Sequence, residues 1–133
     1  MDKPKILLVD DEPDARDVIG HYLSRHLECG IFKAQDGRQA LELMERESFD
    51  VAILDVKMPG ISGIDVLRKI KAVNPQAGVL VVTGWNSQQV AEMAIKEGAV
   101  DYIVKPSNVE VIFAKVRAIL EGINKYFPKV EQK

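Results

Sequence analysis

Asp10, Asp11 and Asp55 are the residues of this chain whose type and placement could do chemistry. Each follows an apolar run: Ile6-Leu7-Leu8-Val9 precedes the first two, and Val51-Ala52-Ile53-Leu54 precedes the third. Such runs read as buried strands, and a carboxylate has no place inside a sheet. At strand ends the three can converge in the crevice where open α/β sheets place their sites. Converging carboxylates repel unless a cation joins them, and a hard divalent ion with oxygen ligands, Mg²⁺ or Mn²⁺, would do so. Thr83 and Gly84 follow the apolar run Gly78 to Val82, and Lys105 follows Val100 to Val104. These groups together suit phosphoryl transfer to a carboxylate. An aspartate can be the nucleophile and become an acyl phosphate. The transfer needs positioning and charge neutralisation more than proton chemistry. A metal held by Asp11 and Asp55 would neutralise one side, and Lys105 would supply a point charge on the other. The Thr83 hydroxyl would bind a further oxygen, and Gly84 would leave room for the phosphoryl group.

Competing site types fit poorly. The turn Asp10-Asp11-Glu12-Pro13 has no glycine and would repel a pyrophosphate, which excludes a Rossmann dinucleotide site and a P-loop. No Cys/His pair has zinc-ligand spacing, and the candidate ligands are all oxygens. Taken singly, Asp10 or Asp55 reads equally well as a turn former or helix cap, Lys105 as a surface lysine, and Tyr102 as half-buried packing. The set at successive strand ends is what argues for a site. Glu12 stays open between a helix-terminal charge and an extra acid. His21 and His26 lie five apart on the first helix, a poor spacing for shared ligation, and read as surface residues.

The elements that must position these groups alternate strand and helix. Lys5 to Val9 is a strand. Pro13 stands at the first position of a helix whose apolar stripe is Ala15, Val18, Ile19, Tyr22 and Leu23, stopped at Gly30. Ile31 to Ala34 is a short strand, and Asp36 with Gln39 forms a cap pair for the second helix, with Ala40, Leu41 and Met44 inward. Val51 to Leu54 is the third strand, Pro59 to Gly63 a turn-rich loop, and Ile64 to Val73 the third helix, ended by Asn74-Pro75. Gly78 to Val82 is the fourth strand, Ser87 caps a helix running to Gly98, and Val100 to Val104 is the fifth strand. Ser107 with Glu110 predicts a capping box for the last helix, with its stripe at Val109, Ile112, Phe113, Val116 and Leu120. Strands apolar on both faces between helices imply a doubly wound (βα)5 α/β domain, a three-layer sandwich around a parallel sheet.

The 133 residues suit one domain, and 47% hydrophobic with 29% charged content is ordinary for a globular protein. A net charge of −2 argues against direct nucleic-acid binding. The single cysteine, Cys29, excludes an internal disulfide, fits a reducing compartment and reads as a buried or half-buried filler. No apolar stretch is long enough for a bilayer and no signal-peptide core follows Met1, so the cytoplasm is the expected location.

The motifs Leu-Val-Asp10-Asp11, Leu-Asp55-Val-Lys-Met-Pro59-Gly60, Thr83-Gly84 and Lys105-Pro106 resemble the receiver domain of two-component response regulators, from Lys5 to about Leu120. The resemblance implies a flavodoxin-like sheet of order 2-1-3-4-5. It implies that Asp55 is the phosphoacceptor, that Asp11 ligates Mg²⁺ directly and Asp10 through water, and that Lys57 contributes its backbone carbonyl. Thr83 and Tyr102 would be the switch pair, and Lys105 the phosphate-contacting lysine, aimed by a cis Lys105-Pro106 peptide. The expected phosphodonor is a histidine kinase or histidine phosphotransfer protein. The switched surface would be the face of helix four, strand five and helix five, with Gln88, Gln89, Glu92 and Lys96 on its exposed side, open to a second copy or an output domain. Lys57 and Trp85 would stand over the mouth of the site. Residues 1–124 are expected to form the receiver domain and 125–133 a tail or the start of a linker, without turnover of small substrates. Two alternatives remain: an aspartyl-nucleophile, Mg²⁺-dependent phosphohydrolase of the haloacid dehalogenase type, which needs a second acid two residues after the nucleophile, a position held by Lys57 after Asp55 and by Glu12, without the usual following Thr or Val, after Asp10, and a receiver-like module that binds partners without phosphorylation.

Overall fold

A computed structural model of the chain describes residues 3–57 and 60–129. Strands and helices alternate throughout: β1 Lys5–Val9, α1 Pro13–His26, β2 Gly30–Ala34, α2 Gly37–Arg46, β3 Val51–Leu54, α3 Gly63–Val73, β4 Gly78–Thr83, α4 Gln88–Lys96, β5 Asp101–Val104 and α5 Val109–Gly122. The strands form a parallel sheet in the order β2-β1-β3-β4-β5. This is the doubly wound, flavodoxin-like arrangement expected from the sequence.

Alternation along each strand divides the core in two. Leu7, Val9, Ala52, Leu54, Val79 and Val81 point to one side, where Ala40, Val66, Leu67, Ile70 and Ala94 of α2, α3 and α4 cover them. Ile6, Leu8, Val51, Ile53, Leu80 and Val82 point to the other, against Ile19 and Leu23 of α1 and Ile112, Val116 and Leu120 of α5. Both faces are buried, which is why these strands read as continuous apolar runs.

Local chemistry starts the helices. Asp36 accepts the Gln39 amide at 2.8 Å while the Gln39 side chain accepts the Gln35 amide at 2.9 Å. Ser62 and Ser87 accept the Asp65 and Val90 amides, each at 3.3 Å. The cap of α5 differs from expectation: Asn108, not Ser107, accepts the Glu110 amide at 2.9 Å, so the helix starts at Val109 and no Ser107–Glu110 box forms. Helix α4 ends at Lys96 rather than Gly98, and Gly98 takes a left-handed φ of 108° just beyond it. Helix α1 ends at His26, ahead of Gly30, because Leu27 is extended and pairs with Pro128.

Two further side chains depart from their expected places. Val18 is 57% exposed. One residue is about 100° around a helix, so with Ile19 and Leu23 centred on the core Val18 falls at the edge of the stripe. His26 is half-buried in a ring cluster, 4.3 Å from Tyr22 and 5.7 Å from Phe113 between centroids, rather than a free surface residue. Cys29 is half-buried, as the sequence suggests, and burial raises its thiol pKa. Residues 125–129 pack back on the domain: the Glu28 amide donates to the Phe127 carbonyl at 2.8 Å and the Lys129 amide to the His26 carbonyl at 2.9 Å. Pro59 of the turn-rich loop and residues 130–133 lie outside the described residues. Among the described residues no helix is long and apolar enough to cross a membrane.

Candidate functional site

Register brings the chemistry together. Val9 pairs with Leu54, so the next residues, Asp10 and Asp55, leave adjacent strands at the same level. Leu54 pairs with Val81, two residues before Thr83, and Thr83 pairs with Val104, after which Lys105 follows. The Lys105 amide donates to the Thr83 carbonyl at 2.7 Å and continues that ladder. The Lys105-Pro106 peptide is cis.

Asp55 is buried, 5% exposed, and its carboxylate is surrounded by donors. Oδ1 accepts the Thr83 hydroxyl at 2.7 Å and the Lys57 amide at 3.0 Å. Oδ2 accepts the Lys105 ammonium at 3.2 Å. Asp10 is equally held: its amide donates to the Ala34 carbonyl, Oδ1 accepts the Glu12 amide at 2.9 Å, and Oδ2 accepts Lys105 at 2.5 Å. Asp11 is the exposed member of the group. One carboxylate oxygen from each of the three lies within 4.8 Å of the others. That is an all-oxygen donor set with three negative charges, open to solvent on one side, and it suits a hard divalent cation that keeps several waters.

Lys105 partly balances this charge. Burial alone would lower its pKa, but the hydrogen bond to Asp10 and the charges of Asp55 and Asp10 outweigh it and hold the ammonium above its ordinary value. Glu12 stands at the edge, its carboxylate 4.0 Å from Lys105.

From the site a line of hydrogen bonds runs outward. Thr83, fully buried, donates to Asp55 and accepts the Trp85 amide at 3.3 Å. The Trp85 carbonyl in turn accepts the Tyr102 phenol at 2.5 Å. Burial, and then the charge of Asp55, raise the Tyr102 pKa and keep the phenol protonated as a donor.

Two glycines shape the cleft. A Cβ on Gly84 would meet nothing within 4 Å, so the space beside Thr83 is open. A Cβ on Gly63 would lie 2.3 Å from the Asp55 carbonyl oxygen, so the start of α3 can pass the Asp55 backbone only as glycine.

The structure thus brings Asp10, Asp11, Asp55, Thr83 and Lys105 together, reaches Tyr102 only through the Trp85 backbone, and leaves Gln88, Gln89, Glu92 and Lys96 exposed on α4 as the sequence suggests. Lys57 meets the site through its amide. Sequence reasoning missed Arg16, whose guanidinium donates to the Asp10 carbonyl, and the Trp85 carbonyl that receives Tyr102. Both contacts use backbone oxygens, which no residue type advertises.

Residues 6–117 match the family model described as response regulator receiver domain. A cyclic di-GMP phosphodiesterase of Thermotoga maritima is 39% identical over 88% of this chain and 31% of its own length. The transcriptional regulatory protein ZraR of Escherichia coli is 36% identical over 97% of this chain and 30% of its own. The chain thus spans about a third of these relatives. The signal receiver domain of an HD domain-containing protein from Pseudomonas fluorescens superposes with a TM-score of 0.86 at 27% identity, covering 92% of this chain and 98% of that one. A sheet of this order, a family match across most of its length and neighbours of this kind lead to one assignment: the chain belongs to the receiver domains of two-component response regulators.

Proposed function

We propose that Asp55 is the phosphoacceptor of this receiver domain and that a histidine kinase or histidine phosphotransfer protein is its donor. The observation that carries this reading is the asymmetric grip on Asp55: Thr83 and the Lys57 amide hold one carboxylate oxygen, and Lys105 holds the other. A carboxylate oxygen of Asp55 attacks phosphorus, the P–N bond to the donor imidazole breaks with its electrons on nitrogen, and an acyl phosphate results. Lys105, cationic at neutral pH, contacts one phosphoryl oxygen, while the Thr83 hydroxyl turns from Asp55 to another in the open space beside Gly84. A Mg²⁺ or Mn²⁺ ion, held by Asp10, Asp11, Asp55 and the Lys57 carbonyl, would offset the charge of the incoming phosphoryl group.

Movement of Thr83 removes the acceptor of the Trp85 amide, and Trp85 carries the acceptor of Tyr102. Thr83 and Tyr102 thereby act as a switch pair that shifts the population of two packings of the α4–β5–α5 face. That face would meet a second copy of the chain or an output domain. Residues 1–124 act as the receiver and 125–133 as its tail, without turnover of a small substrate, and the cytoplasm is the compartment that supplies such donors.

Incubation with acetyl phosphate and Mg²⁺ is expected to add one phosphoryl group by intact mass. A chelator is expected to prevent the gain, and Asp55→Ala to show none. An equal gain in Asp55→Ala would overturn the assignment.

A further inference from the structure

The acidic cluster has a weak point. Asp10 and Asp55 are buried and each is held by several donors, whereas Asp11 is exposed and its carboxylate has no hydrogen-bond partner among the described residues. Its direction must come from its backbone. The peptide that joins Asp10 to Asp11 lies one step beyond the sheet, past the ladder pairs Val9–Ala34 and Val9–Leu54. A peptide group is planar, so fixing its carbonyl also fixes the plane that carries the next N–Cα bond. The Arg16 guanidinium donates to that Asp10 carbonyl.

Arg16 is well placed to hold it. Its own backbone is set by the first turn of α1, where its amide donates to the Glu12 carbonyl at 3.2 Å, and Pro13 opens the same turn. The side chain is half-buried, and a cavity of about 10 Å³ is lined by Arg16, Asp10, Asp55 and apolar residues including Leu8 and Ile19. That is room on the order of one water beside the contact.

We infer that Arg16 is a positioning residue for the cation site: its guanidinium, by pinning the Asp10–Asp11 peptide, aims the otherwise unheld Asp11 carboxylate at the metal. The inference rests on the phosphoacceptor reading and adds a residue to it. It also has a sign of its own. A positive charge near a cation site opposes the cation, so a merely electrostatic role predicts tighter metal binding once the charge is removed. The positioning role predicts weaker binding, on the scale of about 10-fold or more seen when groups that orient metal ligands are removed.

The test is the Mg²⁺ dissociation constant by calorimetry, with Tm measured in metal-free buffer, for wild type, Arg16→Ala, Arg16→Lys and Asp11→Asn. Arg16→Ala is expected to weaken Mg²⁺ binding about 10-fold, and Arg16→Lys, which keeps a donor of similar reach, to recover part of it. Asp11→Asn is expected to lose more than either. Arg16→Ala binding Mg²⁺ as tightly as wild type, or more tightly, would overturn the inference while leaving Asp55 and the cluster intact. A wild type that binds no Mg²⁺ would overturn the cation site itself, and the role of Arg16 with it.

Discussion

Asp55, Thr83 and Lys105 are legible in the sequence because each follows an apolar strand, and parallel strands bring such positions to one edge. Trp85 also belongs to this edge. It stands two residues past Thr83, is 45% exposed, and donates its amide to the Thr83 hydroxyl. A ring over the mouth would hinder the water that must hydrolyse an acyl phosphate. Trp85→Ala is therefore expected to lose phosphate several-fold faster than wild type after the donor is removed. Equal decay would show that the ring does not guard the site. Arg16 was not legible. An arginine in the first turn of a helix reads as a solvated charge, and only the fold reveals that its guanidinium reaches the Asp10 carbonyl. The same holds for Tyr102. Its place on β5 was readable, but its partner is the backbone of Trp85, seventeen residues away in sequence.

At the scale of elements, periodicity located the strands and most helix ends to within a residue or two, the end of α1 excepted, and the errors have local causes. Ser107 and Asn108 are both good caps and adjacent, so sequence alone does not choose between them, and the position of the first helical turn does. Asn108→Ala is expected to cost about 1 kcal/mol in chemical denaturation, and Ser107→Ala much less. The reverse order would contradict the cap geometry. His26 was misplaced for another reason: its neighbours Tyr22 and Phe113 come from two helices, and the contact with α5 is long-range. On the β5–α5 face, Lys115 pairs with Asp101 at 2.9 Å. The hydrogen bond from Lys115 is the main cause that lowers the Asp101 pKa, against the opposing effect of burial. A lowered carboxylate pKa stabilises the fold above its ordinary value of 3.8, and that contribution disappears as pH falls through the folded-state value. Lys115→Ala should thus lower stability at pH 7 by the few tenths of a kcal/mol, at most about 1, typical of an exposed pair. The difference from wild type should shrink below pH 3.8. A gap of constant size across that range would locate the effect elsewhere.

Across the whole molecule, a two-sided core holds the sheet while three carboxylates converge at one edge. The sheet order follows from the alternation of elements and the family resemblance. The return of residues 125–129 onto the end of α1 does not, because it depends on Asn124 taking a left-handed φ of 58° and on backbone pairing with residues far away in the chain. Convergence of Asp10, Asp11 and Asp55 stores repulsion that Lys105 only partly offsets, so a cation that binds the folded state alone must stabilise it. At about 100 times its dissociation constant, Mg²⁺ is expected to add about 2.7 kcal/mol to unfolding, and Asp11→Asn to lose most of that gain. A Tm indifferent to Mg²⁺ would contradict a cation site there. The central claim, that Asp55 receives the phosphoryl group, is tested most directly by locating the modification. Hydride reduction converts an acyl phosphate to an alcohol and spares free carboxylates. Protein treated with acetyl phosphate and Mg²⁺, reduced and mapped by tandem mass spectrometry, is predicted to carry that change at Asp55 alone. Modification at Asp10 or Asp11 instead, or at no aspartate, would contradict the account.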